Sequence, residues 1–190
     1  ALRLRHSEMP WFSGRIAGCG VVLHSVLPSI TPVNFATMVS GTDAGGHGVF
    51  QRTDSFKCET LFDTVRAAGG RSAAVGLGRY TGTVLLGRYA DICGDAGDGT
   101  DDDVAREIVR IAERETPDFL IAQLGRVDDI FHRYGPSSPE VVPMLRETDA
   151  RLRRLAEHLC PCGYGIVFLA DHGQHDAAGR KDRSRTNAPV

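Results

Sequence analysis

Runs of consecutive apolar residues alternate along this chain with segments in which apolar residues recur every three or four positions. The apolar runs predict β-strands at residues 21–27, 72–77, 119–124 and 165–170. These runs are largely apolar on both faces of the strand that they would form. That pattern is typical of strands buried inside a parallel sheet.

The segments with helical spacing lie between these runs. One helix is predicted over residues 59–68, with Gly69 and Gly70 as its stop, and a second opens at Asp101 with three consecutive aspartates. A third is expected over about residues 139–159. Strands separated by amphipathic helices predict an α/β fold, a three-layer αβα sandwich with a mainly parallel sheet. Such folds bind ligands at the carboxyl ends of their strands, so the loops there are expected to carry the chemistry.

Composition narrows the class of protein. The chain has 190 residues, of which 42% are hydrophobic, and a formal net charge of −2. That charge argues against a nucleic-acid-binding protein, and no apolar run is long enough for a membrane-spanning helix. No signal peptide is visible, and the five scattered cysteines are typical of reduced, mostly buried thiols. We therefore expect a cytoplasmic protein without a nucleic-acid or membrane partner.

Two potential metal ligands follow the strand predicted at residues 119–124. Asp128 and His132 are four positions apart, a spacing that puts both side chains on one face of a helical turn. A carboxylate and an imidazole placed in this way can bind one divalent cation such as zinc. The same spacing also occurs in a surface Asp–His pair at a helix start, so this motif alone leaves both interpretations open.

A second pair follows the strand predicted at residues 165–170. Asp171 and His172 come directly after that strand, and Gly173 lets the backbone turn sharply. A strand cap with solvated side chains would give the same pattern. Because both pairs lie at the same edge of the same predicted sheet, the two together favour a metal site over two unrelated surface features.

The third feature is a helix start at Thr31. Thr31 followed by Pro32 predicts a helix with Thr31 as its N-cap and Pro32 as its first residue. A cap is the simplest interpretation. A helix N-terminus also attracts anions, however, and a hydroxyl there, next to a metal, can become a nucleophile toward phosphorus. Asn34 lies one turn further on, where its amide could donate to a phosphoryl oxygen.

These features, taken in order, resemble motifs of the alkaline phosphatase superfamily, and more narrowly of the type I phosphodiesterase/nucleotide pyrophosphatase family. The segment that begins at Thr31, TPVNFATMVSG, is similar to the family's nucleophile segment. Residues 128–136 are similar to Asp-x-x-Gly-His-x-x-Gly-Pro, with Phe131 where Gly is usual. Residues 171–173 are similar to the family's Asp-His-Gly segment.

The resemblance implies an alkaline phosphatase-like fold and a hydrolase with two divalent metal ions, zinc or alternatively manganese. It implies that Asp128 and His132 hold one ion. It further implies that Asp171 and His172 hold the other, which also contacts the Thr31 oxygen. Thr31 would attack phosphorus and Asn34 would assist. The implied substrate is a small-molecule phosphate ester, whether a phosphodiester, a pyrophosphate or a phosphomonoester.

The sequence departs from the family pattern at two ligands. The family's first strand ends in a metal-binding Asp ahead of the nucleophile, whereas Asp43 and Asp54 both follow Thr31. The family also supplies a late second His to the Asp128/His132 ion, and His175 is the late His available as a substitute. We therefore expect residues 1–190 to form a single catalytic core that lacks the first strand and the late His segment.

Other functions remain open for such a core. An inactive or incomplete family member could bind a ligand or partner without turnover. A sulfatase of the same fold would need a Cys/Ser-x-Pro-x-Arg segment, which the threonine segment at residues 31–34 does not provide. A phosphomutase would need large inserted domains for which the chain has no room.

Overall fold

The computed structural model describes residues 7–176 and 187–188, which fall into two compact units. Unit 1 contains the described residues up to Ser25 together with those from Arg126 onward. Unit 2 is the continuous stretch Val26–Gly125. The expectation of one core domain over residues 1–190 stays a prediction.

Unit 2 contains a three-stranded parallel sheet. Its strands are β1 (Ser72–Gly76), β2 (Ile92–Asp95) and β3 (Phe119–Ala122), in the order β2-β1-β3. Every residue of β1 is buried, which is expected of a central strand with a neighbour on each side. The strands predicted at residues 72–77 and 119–124 are thus confirmed, with the second somewhat shorter than predicted. The fold is α/β, built here on a small parallel sheet.

The helices of unit 2 are α2 (Thr31–Ser40), α3 (Ala44–His47), α4 (Leu61–Ala67), α5 (Thr81–Val84) and α6 (Asp101–Arg114). A short 3-10 turn, Leu86–Arg88, precedes β2.

Two of these helices match the predicted ones and share a start signal. At the start of α4, the Asp63 carboxylate accepts hydrogen bonds from the backbone nitrogen and hydroxyl of Thr60, at 2.9 and 2.7 Å. Thr100 and Asp103 form the same capping box at the start of α6. The apolar face of α6 is buried: Val104, Ile108, Ile111 and Ala112.

The apolar core of unit 2 joins α2 and α4 to the sheet. Its buried members include Phe35 and Val39 from α2, Phe62 from α4 and Ala74 from β1. Phe62 is fully buried, and its ring packs edge-on against Phe119 of β3 with centroids 5.8 Å apart. The helix that begins at Thr31 is therefore anchored on the sheet by its apolar face.

Unit 1 contains α1 (Pro10–Ile16), α7 (Arg126–Tyr134) and α8 (Val142–Leu159), the last preceded by a 3-10 turn at Pro139–Val141. Two short strands, β4 (Gly173–Gln174) and β5 (Asn187–Ala188), pair antiparallel. The helix predicted over residues 139–159 is confirmed as this turn followed by α8. Leu145, Leu152 and Leu155 of α8 are buried, and Leu159 is half-buried.

A buried carboxylate joins α1 to α8. Asp149 of α8 accepts hydrogen bonds from the backbone nitrogens of Trp11 and Phe12, at 3.1 and 2.8 Å. These are N–H groups of the first turn of α1, which have no partner within the helix. The side chain of Asp149 therefore acts as the N-terminal cap of a helix that is distant in sequence.

Two predicted strands are wrong. Residues 21–27 and 165–170 are irregular, and most of their apolar side chains are exposed, among them Val21 at 78%, Leu27 at 71% and Val167 at 77%. An apolar run predicts only that side chains would gain from burial. A strand also needs a neighbouring strand to satisfy its backbone groups, and within the described residues neither run has one.

Two further expectations concern membrane-spanning helices and the cysteines of the described part of the chain. None of its helices is both long and apolar enough to cross a membrane. All five cysteines are free thiols, as expected, but four of them are exposed rather than buried: Cys19, Cys93, Cys160 and Cys162.

Candidate functional site

The first predicted donor pair lies on α7 in unit 1. Asp128 and His132 are one helical turn apart, and Nε2 of His132 lies 3.3 Å from Oδ2 of Asp128. The spacing of four residues therefore brings the two side chains together as predicted. Gln174 of β4 donates a hydrogen bond from Nε2 to the other carboxylate oxygen, Oδ1 of Asp128. Sequence reasoning missed this contact, which joins residues 46 positions apart in the chain.

The second predicted donor pair lies just before β4 in the same unit. Nε2 of His172 lies 3.4 Å from Oδ2 of Asp171, and the His172 side chain is almost fully buried. Its Nδ1 lies 3.3 Å from the carbonyl oxygen of Gly173. Because a carbonyl only accepts, that contact needs the proton on Nδ1. In the neutral ring the lone pair on Nε2 then faces the Asp171 carboxylate.

The four side chains share one electrostatic environment. Burial raises the pKa of the Asp128 carboxyl above its usual range, and nearby Asp171 and Asp129 raise it further. His132 and His172 act in the opposite direction on that pKa. A partly desolvated carboxylate among like charges favours a cation beside it. The two donor pairs therefore belong to one polar cluster of unit 1.

The donor spacing can be compared with that of a metal site. A tetrahedral zinc ion with bonds of about 2.0–2.1 Å separates two ligand atoms by about 3.3 Å. A charge-assisted hydrogen bond between imidazolium and carboxylate would be shorter, about 2.7–2.9 Å. The observed separations of 3.3 and 3.4 Å are close to the tetrahedral value. Donor types and spacing thus fit a divalent cation at each pair.

The number of ligands is smaller than a complete site requires. Across residues 7–176 and 187–188, no group of three or more His, Cys, Asp or Glu side chains is placed to hold one metal ion. Each pair supplies two donors, whereas catalytic zinc commonly has three protein ligands. Nδ1 of His132 is buried and has no hydrogen-bond partner in the described structure. Each pair therefore supplies some, but not all, of the protein ligands that a catalytic zinc ion commonly has.

Thr31 and Asn34 lie on α2 in unit 2. Thr31 is the first helical residue and Ile30 is the N-cap, one position earlier than predicted. Differences of one residue are common at helix ends. The half-buried side chain of Thr31 nevertheless lies at the positive end of a ten-residue helix, as the sequence predicts.

Asn34 is buried and makes contacts that the sequence did not predict. Its Oδ1 accepts a hydrogen bond from the Val26 nitrogen at 2.9 Å. Its Nδ2 donates to the carbonyl oxygens of Val26 and Ile30, at 3.4 and 3.2 Å. Both amide hydrogens are therefore directed at backbone carbonyls. Donation from Asn34 to a phosphoryl oxygen stays a prediction.

The acidic residues that follow the nucleophile segment have local structural roles. Asp43 accepts a hydrogen bond from the Gly46 nitrogen at 3.0 Å and caps α3. Asp54 accepts from the Phe50 and Gln51 nitrogens, each at 2.9 Å. Both carboxylates thus satisfy backbone donors in turns.

The two remaining histidines of interest differ in environment. His47 of α3 is fully buried, its Nδ1 accepts from the Val49 nitrogen at 3.0 Å, and its Nε2 lies 3.2 Å from the Thr37 hydroxyl. Its role is structural in this arrangement. His175, considered above as a substitute ligand, is exposed, and its Nδ1 lies 3.1 Å from the carbonyl oxygen of Asp176.

A known protein family matches the part of the chain that contains both donor pairs. The model of the type I phosphodiesterase/nucleotide pyrophosphatase family matches residues 59–187, more than half of the chain. The chain therefore belongs to this family of phosphoric ester hydrolases, whose members typically use divalent metals. The match includes Asp128, His132, Asp171 and His172 and begins after Thr31 and Asn34.

Individual relatives are more distant. An uncharacterized pyrophosphatase/phosphodiesterase of Schizosaccharomyces pombe is 32% identical over 71 residues, which cover 35% of this chain and 15% of the yeast protein. Phosphonoacetate hydrolase from Sinorhizobium meliloti, in complex with phosphonoformate, has a TM-score of 0.66 at 22% identity. That alignment covers 90% of this chain and 52% of the hydrolase.

A mammalian enzyme has a similar fold. Murine ectonucleotide pyrophosphatase/phosphodiesterase 5 has a TM-score of 0.57 at 18% identity, with 74% of this chain and 45% of the murine chain covered. At these identities the likeness shows a shared fold. The chain spans about half the length of these solved structures and a smaller part of the yeast protein.

Proposed function

We propose that this protein is a metal-dependent hydrolase of phosphate esters in which Thr31 is the nucleophile. The observation that carries the proposal is that the family match extends over both donor pairs, each with a nitrogen-to-oxygen separation suited to a divalent cation. The fold likeness to phosphonoacetate hydrolase supports the further inference of a three-layer αβα sandwich. A cytoplasmic location stays a prediction.

The proposed ligands are the side chains of the polar cluster in unit 1. Asp128 and His132 would hold one divalent ion, and Asp171 and His172 would hold the other, together with the Thr31 oxygen. Zinc is the proposed metal, with manganese as the alternative. When bound, two such ions supply positive charge that lowers the pKa of a hydroxyl and stabilises the phosphoryl oxygens. Nδ1–H of His172, in contact with the Gly173 carbonyl, keeps Nε2 available as a donor atom.

The chemistry of Thr31 follows from its position. Its oxygen forms a bond to phosphorus while the bond to the leaving ester oxygen breaks, and the first turn of α2 presents N–H groups and a positive dipole to the phosphoryl anion. Water then cleaves the phosphothreonine, which restores the hydroxyl and releases the phosphate product. An inactive form of murine ectonucleotide pyrophosphatase/phosphodiesterase 5, in complex with AMP, carries a threonine-to-alanine substitution, which supports a threonine nucleophile.

The proposed substrate is a small-molecule phosphate ester. Relatives of known structure hold phosphonoformate, phosphonoacetate or AMP, all of which carry a phosphonate or phosphate group. A second candidate function is binding of such a ligand without turnover. It is favoured by the two-donor pairs, because no described group of three ligands is present to hold one ion.

The test combines metal content with hydrolysis. The purified chain is loaded with Zn²⁺ or Mn²⁺, its bound metal is measured by elemental analysis, and hydrolysis of bis-p-nitrophenyl phosphate is compared with that of the monoester. Thr31→Ala is expected to abolish turnover while metal stays bound. Asp128→Asn is expected to lower the metal content.

A matched control lies on the same helix turn. Asp129→Asn removes the same charge from α7, but Asp129 lies in a half-exposed ion pair with Arg126 at 3.0 Å and is not a proposed ligand. Its metal content should remain that of the wild type. Full turnover in Thr31→Ala would refute the nucleophile, and full metal occupancy in Asp128→Asn would remove Asp128 from the ligand set. Ligand binding with no turnover in the wild type would favour the second candidate function.

A further inference from the structure

The contacts of Asn34 point to a role different from the one that its sequence position suggests. The carboxamide is 4% exposed and makes three hydrogen bonds, all to the backbone of the segment that leads into α2. Two of them form a reciprocal pair with the nitrogen and carbonyl of Val26. A side chain that both donates and accepts is required for this pairing, and a carboxamide has both groups.

The segment that Asn34 holds is short and closed. The Ile30 nitrogen donates to the Pro28 carbonyl at 2.8 Å, which folds residues 28–30 into a tight turn. Asn34 contacts both ends of residues 26–30, at Val26 and at Ile30. The hydrogen bond between Ile30 and Pro28 thus folds the segment, and the Asn34 side chain bridges its ends. This turn lies directly before Thr31 in the chain.

The contact at Ile30 acts directly on the peptide unit before Thr31. The Ile30 carbonyl accepts from the backbone nitrogen of Asn34 at 3.1 Å and from its Nδ2 at 3.2 Å. This carbonyl belongs to the planar peptide unit that ends at the Thr31 nitrogen. Two donors on one oxygen restrict the rotation of that plane, and with it the direction of the Cα–Cβ bond of Thr31.

We propose that Asn34 is a positioning residue that fixes the peptide unit before Thr31 and so holds the nucleophilic hydroxyl in its attack direction. The role rests on the proposed function, because it requires Thr31 to be the nucleophile. In this role Asn34 acts through the backbone, because its Nδ2 donates to the carbonyl oxygens of Val26 and Ile30. Loss of alignment by about 1 Å can lower a rate by about 100-fold.

The experiment compares Asn34→Ala with Val39→Ala. Both positions are buried on α2, at 4% and 1% exposure, but Val39 has an apolar side chain that packs in the core with Phe35 and Phe62 and cannot form the hydrogen bonds of Asn34. Hydrolysis of bis-p-nitrophenyl phosphate by the metal-loaded chain gives kcat and KM, and hydrogen–deuterium exchange reports the protection of the Val26 amide. Asn34→Ala is expected to lower kcat by about 10- to 100-fold, to leave KM within twofold and to accelerate exchange at Val26. Val39→Ala should change none of these by more than about twofold.

Other results would contradict either the role of Asn34 or the proposed function, and the two cases can be told apart. A lower kcat with unchanged exchange at Val26 would assign Asn34 a direct contact with substrate instead. Equal effects of Asn34→Ala and Val39→Ala on kcat would reduce Asn34 to a general stabilising residue. Full turnover in Thr31→Ala would refute the proposed function itself, while the exchange at Val26 would still report whether Asn34 holds this segment. Asn34→Gln, which restores a carboxamide, should recover part of kcat if Asn34→Ala folds poorly.

Discussion

The hydrogen bond from Gln174 to Asp128 predicts an effect on metal affinity that can be measured without any assay of turnover. Gln174→Ala removes the donor that orients Oδ1 of Asp128, while the contact between Oδ2 and Nε2 of His132 remains. Partners that orient a metal ligand in this way are each worth about 10- to 100-fold in metal affinity. At 1.36 kcal/mol for each factor of ten, this corresponds to a loss of about 1.4–2.7 kcal/mol.

The assay is a titration of Zn²⁺ into the chain against a competing chromophoric chelator at neutral pH. The dissociation constant of Gln174→Ala is expected to rise by about 10- to 100-fold. Asp129→Asn again serves as a control, because it removes an acidic group from α7 without touching Gln174. A double variant with Asp128→Asn should lose no further affinity from Gln174→Ala, since Gln174 acts through that carboxylate. A dissociation constant within twofold of the wild type, or a further loss in the double variant, would refute this reasoning.

Two further predictions concern the stability of unit 2. Burial lowers the pKa of the His47 imidazole, so the unfolded chain takes up a proton more readily as the pH falls below about 6.5 and the free energy of unfolding should decrease there. Denaturant melts at pH 7 and pH 5.5 in the presence of EDTA should show this decrease in the wild type and a smaller one in His47→Gln. If the free energy of unfolding falls by the same amount in both proteins between these pH values, His47 is not the group responsible. Phe62→Ala should lower the free energy of unfolding by about 3–5 kcal/mol, because its fully buried ring packs on β3. The neighbouring Leu61→Ala, at a position 42% exposed, should cost less than about 0.5 kcal/mol, and similar losses in both variants would contradict the core assignment.

The elements that sequence reasoning predicted correctly are those with a complete local signal. Helix α6 has a Thr–Asp capping box and an apolar face at helical spacing, and β1 is a short apolar run flanked by glycine and polar residues. Strand β2 was missed because Ile-Cys-Gly-Asp has too few apolar residues to stand out, and it forms a strand through its pairing with β1. The runs at 21–27 and 165–170 differ from β2 in both respects. They are rich in apolar residues, but they have no partner strand among the described residues.

In the candidate site, too, a contact between residues close in the chain could be predicted, whereas a contact between distant residues could not. The four-residue spacing of Asp128 and His132 is a local property of a helix, so their proximity could be predicted from the sequence. The contact of Gln174 with Asp128 joins residues far apart in the chain, and no pattern within either segment reveals it. Asn34 was predicted to face the substrate because of its distance from Thr31. Its side-chain contacts depend on the path of residues 26–30, which the sequence pattern did not reveal.

The carboxylate of Asp149 has a consequence for the order in which the protein forms during synthesis. Helix α1 has seven residues, too few for an isolated helix to be stable in water. Its first-turn N–H groups find their partner on a side chain made 137 residues later than Phe12. Unit 2, a continuous stretch, is complete in sequence by residue 125, whereas unit 1 must await α8. On the ribosome, α1 is therefore synthesised before α8 but gains its cap only after α8 has been made.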